Sequence, residues 1–178
     1  ARRNRNNHPF RGVLGTGTFA LAHNGVLYND QKLRKELRLP KTRIETDSYI
    51  AVQLIERKGV LNFDSLRYMA EQLEGSFTIT VLDDVNRLYV VKGDNPFCLY
   101  FYPDSGLYIY ASTEEILQEG LSRLRLTLGQ AERIHLSDGD ILRIDAAGGL
   151  TRQWFDTSNL MCGWYGSLWP YGYPGDLR

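Results

Sequence analysis

Cysteine is scarce in this chain, and long hydrophobic runs are absent from it. Only Cys98 and Cys162 occur among the 178 residues. A disulfide scaffold needs a denser set of cysteines, so this pair favours a reducing cytoplasm. No apolar run approaches the roughly 20 residues that a membrane-spanning helix requires, and no signal-peptide pattern is visible. We therefore expect a cytoplasmic protein without a membrane partner.

Net charge is also lacking, which removes a general electrostatic reason to bind nucleic acid. Lys and Arg total 21, and Asp and Glu total 21, so the formal net charge at pH 7 is zero. Four arginines do cluster near the start, at positions 2, 3, 5 and 11. An arm that binds nucleic acid would use such a cluster, but a solvated loop explains it more simply. We expect no nucleic-acid partner.

Sequence signatures of several other sites are missing. The three histidines are scattered, and neither C-x-x-C nor H-E-x-x-H occurs, so we expect no metal and no other cofactor. The glycine-rich stretch 15–18 lacks the Lys-Ser/Thr of a phosphate-binding loop and is interpreted as a turn. No G-x-S-x-G motif marks a serine hydrolase. Cys98 lies in an alternating aromatic strand, where a buried and unreactive thiol is expected.

Hydrophobic periodicity predicts both helices and strands. Apolar residues at helical spacing, with capping and glycine signals, predict helices over 30–37, 48–59, 64–75 and 112–124. Alternation predicts strands over 18–23, 76–83, 87–92, 97–102, 107–112, 132–136, 140–145 and 150–155. Residues 1–12 are interpreted as a loop. Since strands and helices do not alternate one by one, the expected fold is α+β, with helices covering largely antiparallel sheets.

The composition changes near the end of the chain. Residues 1–156 are expected to form one domain, and residues 157–178 an aromatic segment rich in glycine and proline. No periodicity organises this segment. It can be an irregular stretch laid across the core or a sheet edge, or it can be a lid or partner-binding segment. It is also compatible with self-association as a homo-oligomer.

The stretch FALAHNGVLYND, residues 19–30, leaves two alternatives open for Asn24-Gly25. The commonest use of Asn-Gly is a turn. The other alternative is catalytic, because an asparagine amide and a neighbouring backbone N–H can converge on one oxygen as an oxyanion hole. Asp47 is ambiguous in the same way. It can cap a helix, as Thr46 can, or it can hold a substrate ammonium.

Several short motifs occur together in a fixed order. They are N-x-H-P at residues 6–9, H-N-G at 23–25, L-R-x-x-L at 33–37, E-T-D-S at 45–48, A-S-T-E at 111–114 and G-D-I at 139–141. H-N-G followed by E-T-D at this spacing is the most specific combination. Over roughly residues 5–146 the chain resembles the glutaminase domain of class II glutamine amidotransferases, a branch of the N-terminal-nucleophile hydrolases.

The resemblance implies a four-layer αββα sandwich that hydrolyses glutamine to glutamate and ammonia. The nucleophile of such enzymes is an N-terminal cysteine, whose own α-amine can serve as base. By the same resemblance, the Asn24 side chain and the Gly25 N–H form the oxyanion hole. Asp47 holds the α-ammonium of glutamine, and His8 is a structural support near the site. Glutamine is the expected substrate, and the domain or protein that accepts the ammonia is unknown.

Two features depart from the family pattern. The H-T-R motif that clamps the substrate carboxylate occurs nowhere in the chain. Met161-Cys162-Gly163 with Gly166 resembles the family's M-C-G-x-x-G start, so we expect that segments before Ala1 are missing or displaced to the C-terminal end. Cys162 is then the candidate nucleophile, provided that it is a true chain start with a free α-amine. The alternative is a catalytically inactive binding or regulatory module on the same scaffold.

Overall fold

The computed structural model describes residues 4–124 and 126–160, and it confirms the predicted mixture of helices and strands. The strands are β1 Phe10–Leu14, β2 Gly17–Leu27, β3 Gly75–Asp83, β4 Leu88–Lys92, β5 Cys98–Tyr102, β6 Leu107–Ala111, β7 Glu132–Arg133, β8 Asp140–Ile144 and β9 Leu150–Trp154. The α-helices are α1 Asp30–Glu36, α2 Tyr49–Lys58, α3 Phe63–Gln72 and α4 Glu114–Arg123. Each predicted element has a counterpart among them.

The strands form two antiparallel sheets. The larger sheet has six strands in the order β1-β2-β3-β4-β8-β9, and the smaller has three in the order β6-β5-β7. All pairs between these strands are antiparallel. Strand β2 therefore lies between the edge strand β1 and the buried strand β3.

The buried side chains divide the domain into four layers. On β4, Tyr89 and Val91 pack in the cluster that contains α2 and α3, whereas Val90 packs against Leu99 of the small sheet. This division follows from the strand period of two residues. The other face of the small sheet packs against Leu117 of α4. Helices, large sheet, small sheet and helix thus form the expected αββα sandwich.

Strand β1 lies where the sequence predicted a loop. It forms a hairpin with β2 around a turn at residues 15–16, so the predicted turn is confirmed there, whereas the other two residues of the predicted stretch 15–18 belong to β2. Phe10 is the one large buried side chain of β1, because Gly12 fills the second inward position. An edge strand with so little apolar alternation gives a weak signal. Strand β7 is shorter than predicted, at two residues.

The predicted end of strand β2 is also wrong. β2 runs through Gly25 to Leu27, so Asn24-Gly25 is not a hairpin turn. A type I′ turn needs positive φ at both residues, whereas of the two only Gly25 has it, at 141°. A Cβ on Gly25 would lie 1.9 Å from the Ser76 carbonyl oxygen of β3. Glycine therefore lets the strand continue where a side chain would force β2 and β3 apart.

Of the two alternatives for Asp47, the capping of α2 is not observed. Ser48, and neither Asp47 nor Thr46, precedes the first residue of the helix, and its side chain makes no capping hydrogen bond. The Thr46 hydroxyl accepts a hydrogen bond from the Ser48 N–H at 3.1 Å. The Asp47 carboxylate does not cap α2 and is therefore available to bind other groups. At α4, the Thr113 side chain caps the helix by accepting a hydrogen bond from the Ile116 N–H.

Candidate active site

The candidate site lies at the C-terminal half of β2, where side chains from other segments bind the strand. His8 Nδ1 accepts a hydrogen bond from the His23 N–H at 3.1 Å. The Ser48 hydroxyl lies 2.8 Å from His23 Nδ1. Because His8 Nδ1 is an acceptor, this nitrogen carries no proton and the ring is neutral. These contacts tie the segment before β1 and the residue before α2 to one strand.

Both histidines are shifted towards the neutral form. Burial lowers the pKa of His23 to about 4, an effect that the Asp47 carboxylate opposes and the nearby His8 ring reinforces. Burial also lowers the pKa of His8, again against the Asp47 carboxylate. Within the described part of the chain, His23 Nε2 is buried and has no hydrogen-bond partner. Two neutral imidazoles therefore adjoin the strand at pH 7.

The Asp47 carboxylate binds the end of β2. Its Oδ2 accepts a hydrogen bond from the Leu27 N–H at 2.7 Å. Its Oδ1 accepts a longer bond, at 3.4 Å, from the Ser48 hydroxyl. The residue is half-buried. Since a carboxylate oxygen can accept more than one bond, Oδ1 keeps acceptor capacity for a further donor.

Strand geometry defines the direction of the Gly25 N–H. Successive residues of an antiparallel strand direct their N–H groups to opposite edges. His23 and Leu27 donate to the two side chains on the edge away from β3, whereas Tyr28 donates to the Glu74 carbonyl on the β3 side. Gly25 shares the parity of His23 and Leu27. Its N–H is therefore directed to the edge away from β3, midway between the imidazole and the carboxylate.

This part of the β2 edge extends beyond β1. The β1–β2 ladder ends with the pair Phe10 and Leu21. The described strands therefore leave residues 22–27 of β2 without a strand partner on this side. Gly25 is exposed. A small molecule can approach its N–H from the edge of the sheet.

Asn24 lies beside a cavity between the two sheets. The cavity has a volume of about 210 Å³ and is lined by residues that include Ala22, Asn24, Thr78, Phe97 and Tyr110. Asn24 itself is exposed. Its amide and the neighbouring N–H of the next residue are thus available at the same end of β2.

The structure describes four of the five site residues predicted from the sequence. Asn24 and Gly25 adjoin on β2, and the positions that bind His8 and Asp47 lie two residues to either side of Gly25. Asn24 borders the cavity between the sheets, and Asp47 does not. The Asp47 carboxylate instead contacts the open edge of β2 through the Leu27 N–H. Cys162 lies outside the described residues.

Sequence reasoning missed three residues that make contacts at this site: His23, Ser48 and Asn95. His23 opens the H-N-G motif and Ser48 directly follows E-T-D, so the motifs already contained the signal for both. Asn95 lies in the turn between β4 and β5, 71 residues from Asn24, and donates to its carbonyl oxygen at 2.8 Å. Nothing in the local sequence indicates that contact.

Three further properties of the described residues bear on other kinds of site. No group of three or more His, Cys, Asp or Glu side chains that could hold a metal ion occurs among them. Cys98 is buried, as predicted, and burial raises the pKa of its thiol. No helix formed by residues 4–124 and 126–160 has the length and apolar character needed to span a membrane.

A family model and several curated proteins are similar to parts of this chain. A family model described as a glutamine amidotransferase domain matches residues 2–119. Glutamine–fructose-6-phosphate aminotransferase of Staphylococcus epidermidis is 34% identical over 97 residues, which cover 51% of this chain and 16% of that protein. 7-Cyano-7-deazaguanine synthase of Sulfolobus acidocaldarius is 28% identical over 110 residues, which cover 60% of this chain and 22% of that protein. The chain thus spans less than a quarter of these relatives.

Solved structures agree with the layered fold. Glutamine phosphoribosylpyrophosphate amidotransferase from B. subtilis, complexed with ADP and GMP, has a TM-score of 0.71 at 21% identity and covers 93% of this chain and 36% of its own. The allosteric regulatory enzyme of purine biosynthesis gives a TM-score of 0.70 at 21% identity, over 90% of this chain and 34% of its own. At such identities the likeness concerns the fold alone. The family match extends over more than half of the chain and includes H-N-G and E-T-D. The chain therefore belongs to the class II glutamine amidotransferase family.

Proposed function

We propose that this domain hydrolyses glutamine to glutamate and ammonia. The observation that carries the proposal is the open edge of β2, where the Gly25 N–H lies two strand positions from the residue that binds Asp47. A backbone N–H suits a developing oxyanion, and a carboxylate suits an ammonium. The edge therefore presents complementary groups for the two ends of one amino acid.

The interval between these groups suits glutamine. Two residues of an antiparallel strand span about 6.8 Å, which separates the N–H of Gly25 from the N–H of Leu27 that binds Asp47. In glutamine, four bonds of about 1.5 Å link the α-nitrogen to the carboxamide carbon, so the extended span is roughly 5 Å. With hydrogen bonds of about 2.8 Å at both ends, one molecule can contact both groups. Asparagine is one carbon shorter and should react more slowly.

In the proposed reaction, a thiolate attacks the carboxamide carbon of glutamine. The carbonyl oxygen takes up negative charge and is stabilised by the Asn24 side-chain amide and the Gly25 N–H. Ammonia leaves with a proton from the base, and water then hydrolyses the thioester to glutamate. His8 supports the strand beside this site. Its neutral ring, which uses Nδ1 to hold β2, favours that role over proton transfer.

We propose an N-terminal cysteine as the nucleophile, with Cys162 as the candidate. Its α-amine acts as base only if Met161 is removed and the chain starts there. The resemblance of residues 161–166, Met-Cys-Gly-Trp-Tyr-Gly, to the M-C-G-x-x-G start of the family supports this candidate.

The first test is the release of glutamate and ammonia by the intact protein. Asn24→Ala should lower kcat by roughly 10²–10³, since it removes one oxyanion donor. Asn86→Gly is a matched control, because Asn86 is an exposed asparagine with positive φ in the turn between β3 and β4. A kcat for Asn24→Ala equal to that of the control would remove the role assigned to Asn24.

The second test concerns the nucleophile. A cysteine-directed glutamine analogue should label Cys162 in the intact protein, and glutamine should protect it. The buried Cys98 is the internal control and should stay unlabelled. Labelling at neither residue, together with no glutamine hydrolysis, would favour the inactive binding or regulatory module.

The destination of the ammonia is a separate part of the proposal. The relatives are named as an aminotransferase and a synthase, and this chain matches only 16% and 22% of their lengths. We infer that ammonia passes to an acceptor domain or protein in the cytoplasm. Without that acceptor, ammonia and glutamate should appear in equal amounts in solution.

A further inference from the structure

The turn between β4 and β5, residues 93–97, lies against the peptide group that joins Asn24 to Gly25. The Asn95 side-chain amide donates a hydrogen bond to the Asn24 carbonyl oxygen at 2.8 Å. That oxygen and the Gly25 N–H belong to the same peptide group. In a trans peptide they point in opposite directions within one plane. A bond that fixes the carbonyl therefore also fixes the direction of the N–H.

Asn95 and the residue before it each accept one hydrogen bond from β3. Its backbone carbonyl accepts a hydrogen bond from the Thr78 hydroxyl at 2.9 Å. The carboxylate of the preceding residue, Asp94, accepts from the Phe77 N–H at 3.0 Å. Thr78 and Phe77 are the β3 partners of the two residues joined by that peptide group. The turn is therefore bound to β3 at the two residues that pair with Asn24 and Gly25, and it binds the peptide between those two residues of β2.

Close packing leaves this contact little freedom. A Cβ on Gly25 would lie 2.5 Å from Asn95 Nδ2, and a Cβ on Gly93 would lie 2.2 Å from the Phe77 carbonyl oxygen. Backbones can approach this closely only where side chains are absent. The glycine of β2 and the glycine of the turn thus both serve the approach of the Asn95 amide to the strand.

We propose that Asn95 is a positioning residue for the oxyanion hole: its side-chain amide holds the Asn24–Gly25 peptide so that the Gly25 N–H points to the open edge of β2. The proposal rests on the proposed glutaminase function. The hydrogen bond also polarises the peptide, which makes its N–H a stronger donor. Asn95 acts through the peptide and does not touch the substrate.

The test compares two substitutions of Asn95 in the full-length protein. Asn95→Ala should lower kcat about tenfold, as expected for one lost hydrogen bond, with KM for glutamine changed less than twofold. Asn95→Asp keeps the shape and replaces the donor with a carboxylate oxygen, so it should lower kcat at least as much. Asn62→Ala is the control, because it removes the cap of α3 and costs stability without touching β2. Its kcat should stay within twofold of wild type.

The amide resonance of Gly25 in a ¹⁵N–¹H spectrum gives a readout that is independent of activity. In Asn95→Ala it should shift more than any other amide of β2, whereas Asn62→Ala should leave it in place. An unchanged Gly25 resonance, or a normal kcat in Asn95→Asp, overturns the positioning role. If the wild type does not hydrolyse glutamine, the proposed function fails, and the resonance alone still decides whether Asn95 orients this peptide.

Discussion

Acidification should destabilise this domain through His23, and the expected size follows from its burial. The pKa of His23 falls from 6.5 to about 4 in the folded protein, chiefly because the ring is buried. Between these two values the unfolded chain binds a proton that the folded chain does not. Stability is therefore fully present above pH 6.5 and is lost as the pH falls to 4. A shift of this size corresponds to about 3 kcal/mol.

The measurement is urea unfolding at a series of pH values from 7.5 to 4, with wild type and His23→Gln compared at each pH. Carboxylates also titrate over part of this range, so the difference between the two proteins isolates the histidine. Wild type should lose about 3 kcal/mol more than His23→Gln. His135→Gln, at an exposed position, is the matched control and should follow wild type. Curves for wild type and His23→Gln that stay parallel to within about 1 kcal/mol would refute the reasoning.

Two other substitutions test contacts around the site, and a third tests a buried ion pair elsewhere in the fold. Gly25→Ala should destabilise the fold by about 3 kcal/mol or more in urea unfolding, because its Cβ would lie 1.9 Å from the Ser76 carbonyl oxygen at a φ of 141°; a wild-type midpoint would contradict this. Asp47→Asn keeps an acceptor for β2 but loses the charge, so KM for glutamine should rise tenfold or more, roughly the worth of a charge-assisted bond, while kcat changes little. Asp138→Ala leaves the buried Lys92 ammonium without its 2.7 Å partner, and the cost should be about 2 kcal/mol in the same unfolding assay.

Much of the fold could be predicted because its elements are locally consistent. Helices α2 and α3 show apolar residues at helical spacing, and Phe77, Ile79 and Val81 alternate on β3 because they all face the helix layer. Strand β1 could not be predicted, because Gly12 replaces a large side chain at its second inward position. Its strand conformation depends on pairing with β2, which is a tertiary effect.

The predictability of the candidate site has a different basis. The Asn24-Gly25 dipeptide by itself favoured a turn, and only the ordered motifs indicated an oxyanion hole. Contacts such as those of His8 with His23 and of Asp47 with Leu27 join residues 15 and 20 positions apart. Local patterns carry no information at that distance. A recurring order of motifs does, because it reflects a shared three-dimensional arrangement.

The continuation of β2 through Gly25 is what spaces the groups of the proposed site. In a turn at Asn24-Gly25, the chain would fold back and the Leu27 N–H would no longer lie on the edge that the His23 N–H occupies. In the continuous strand, the three odd-numbered N–H groups share one edge at intervals of about 6.8 Å. The outer two N–H groups donate hydrogen bonds to the side chains of His8 and Asp47, and the middle N–H, that of Gly25, faces the open edge of the sheet. Gly25 has a positive φ and no side chain to clash with the Ser76 carbonyl oxygen, and β2 stays paired with β3 to its end.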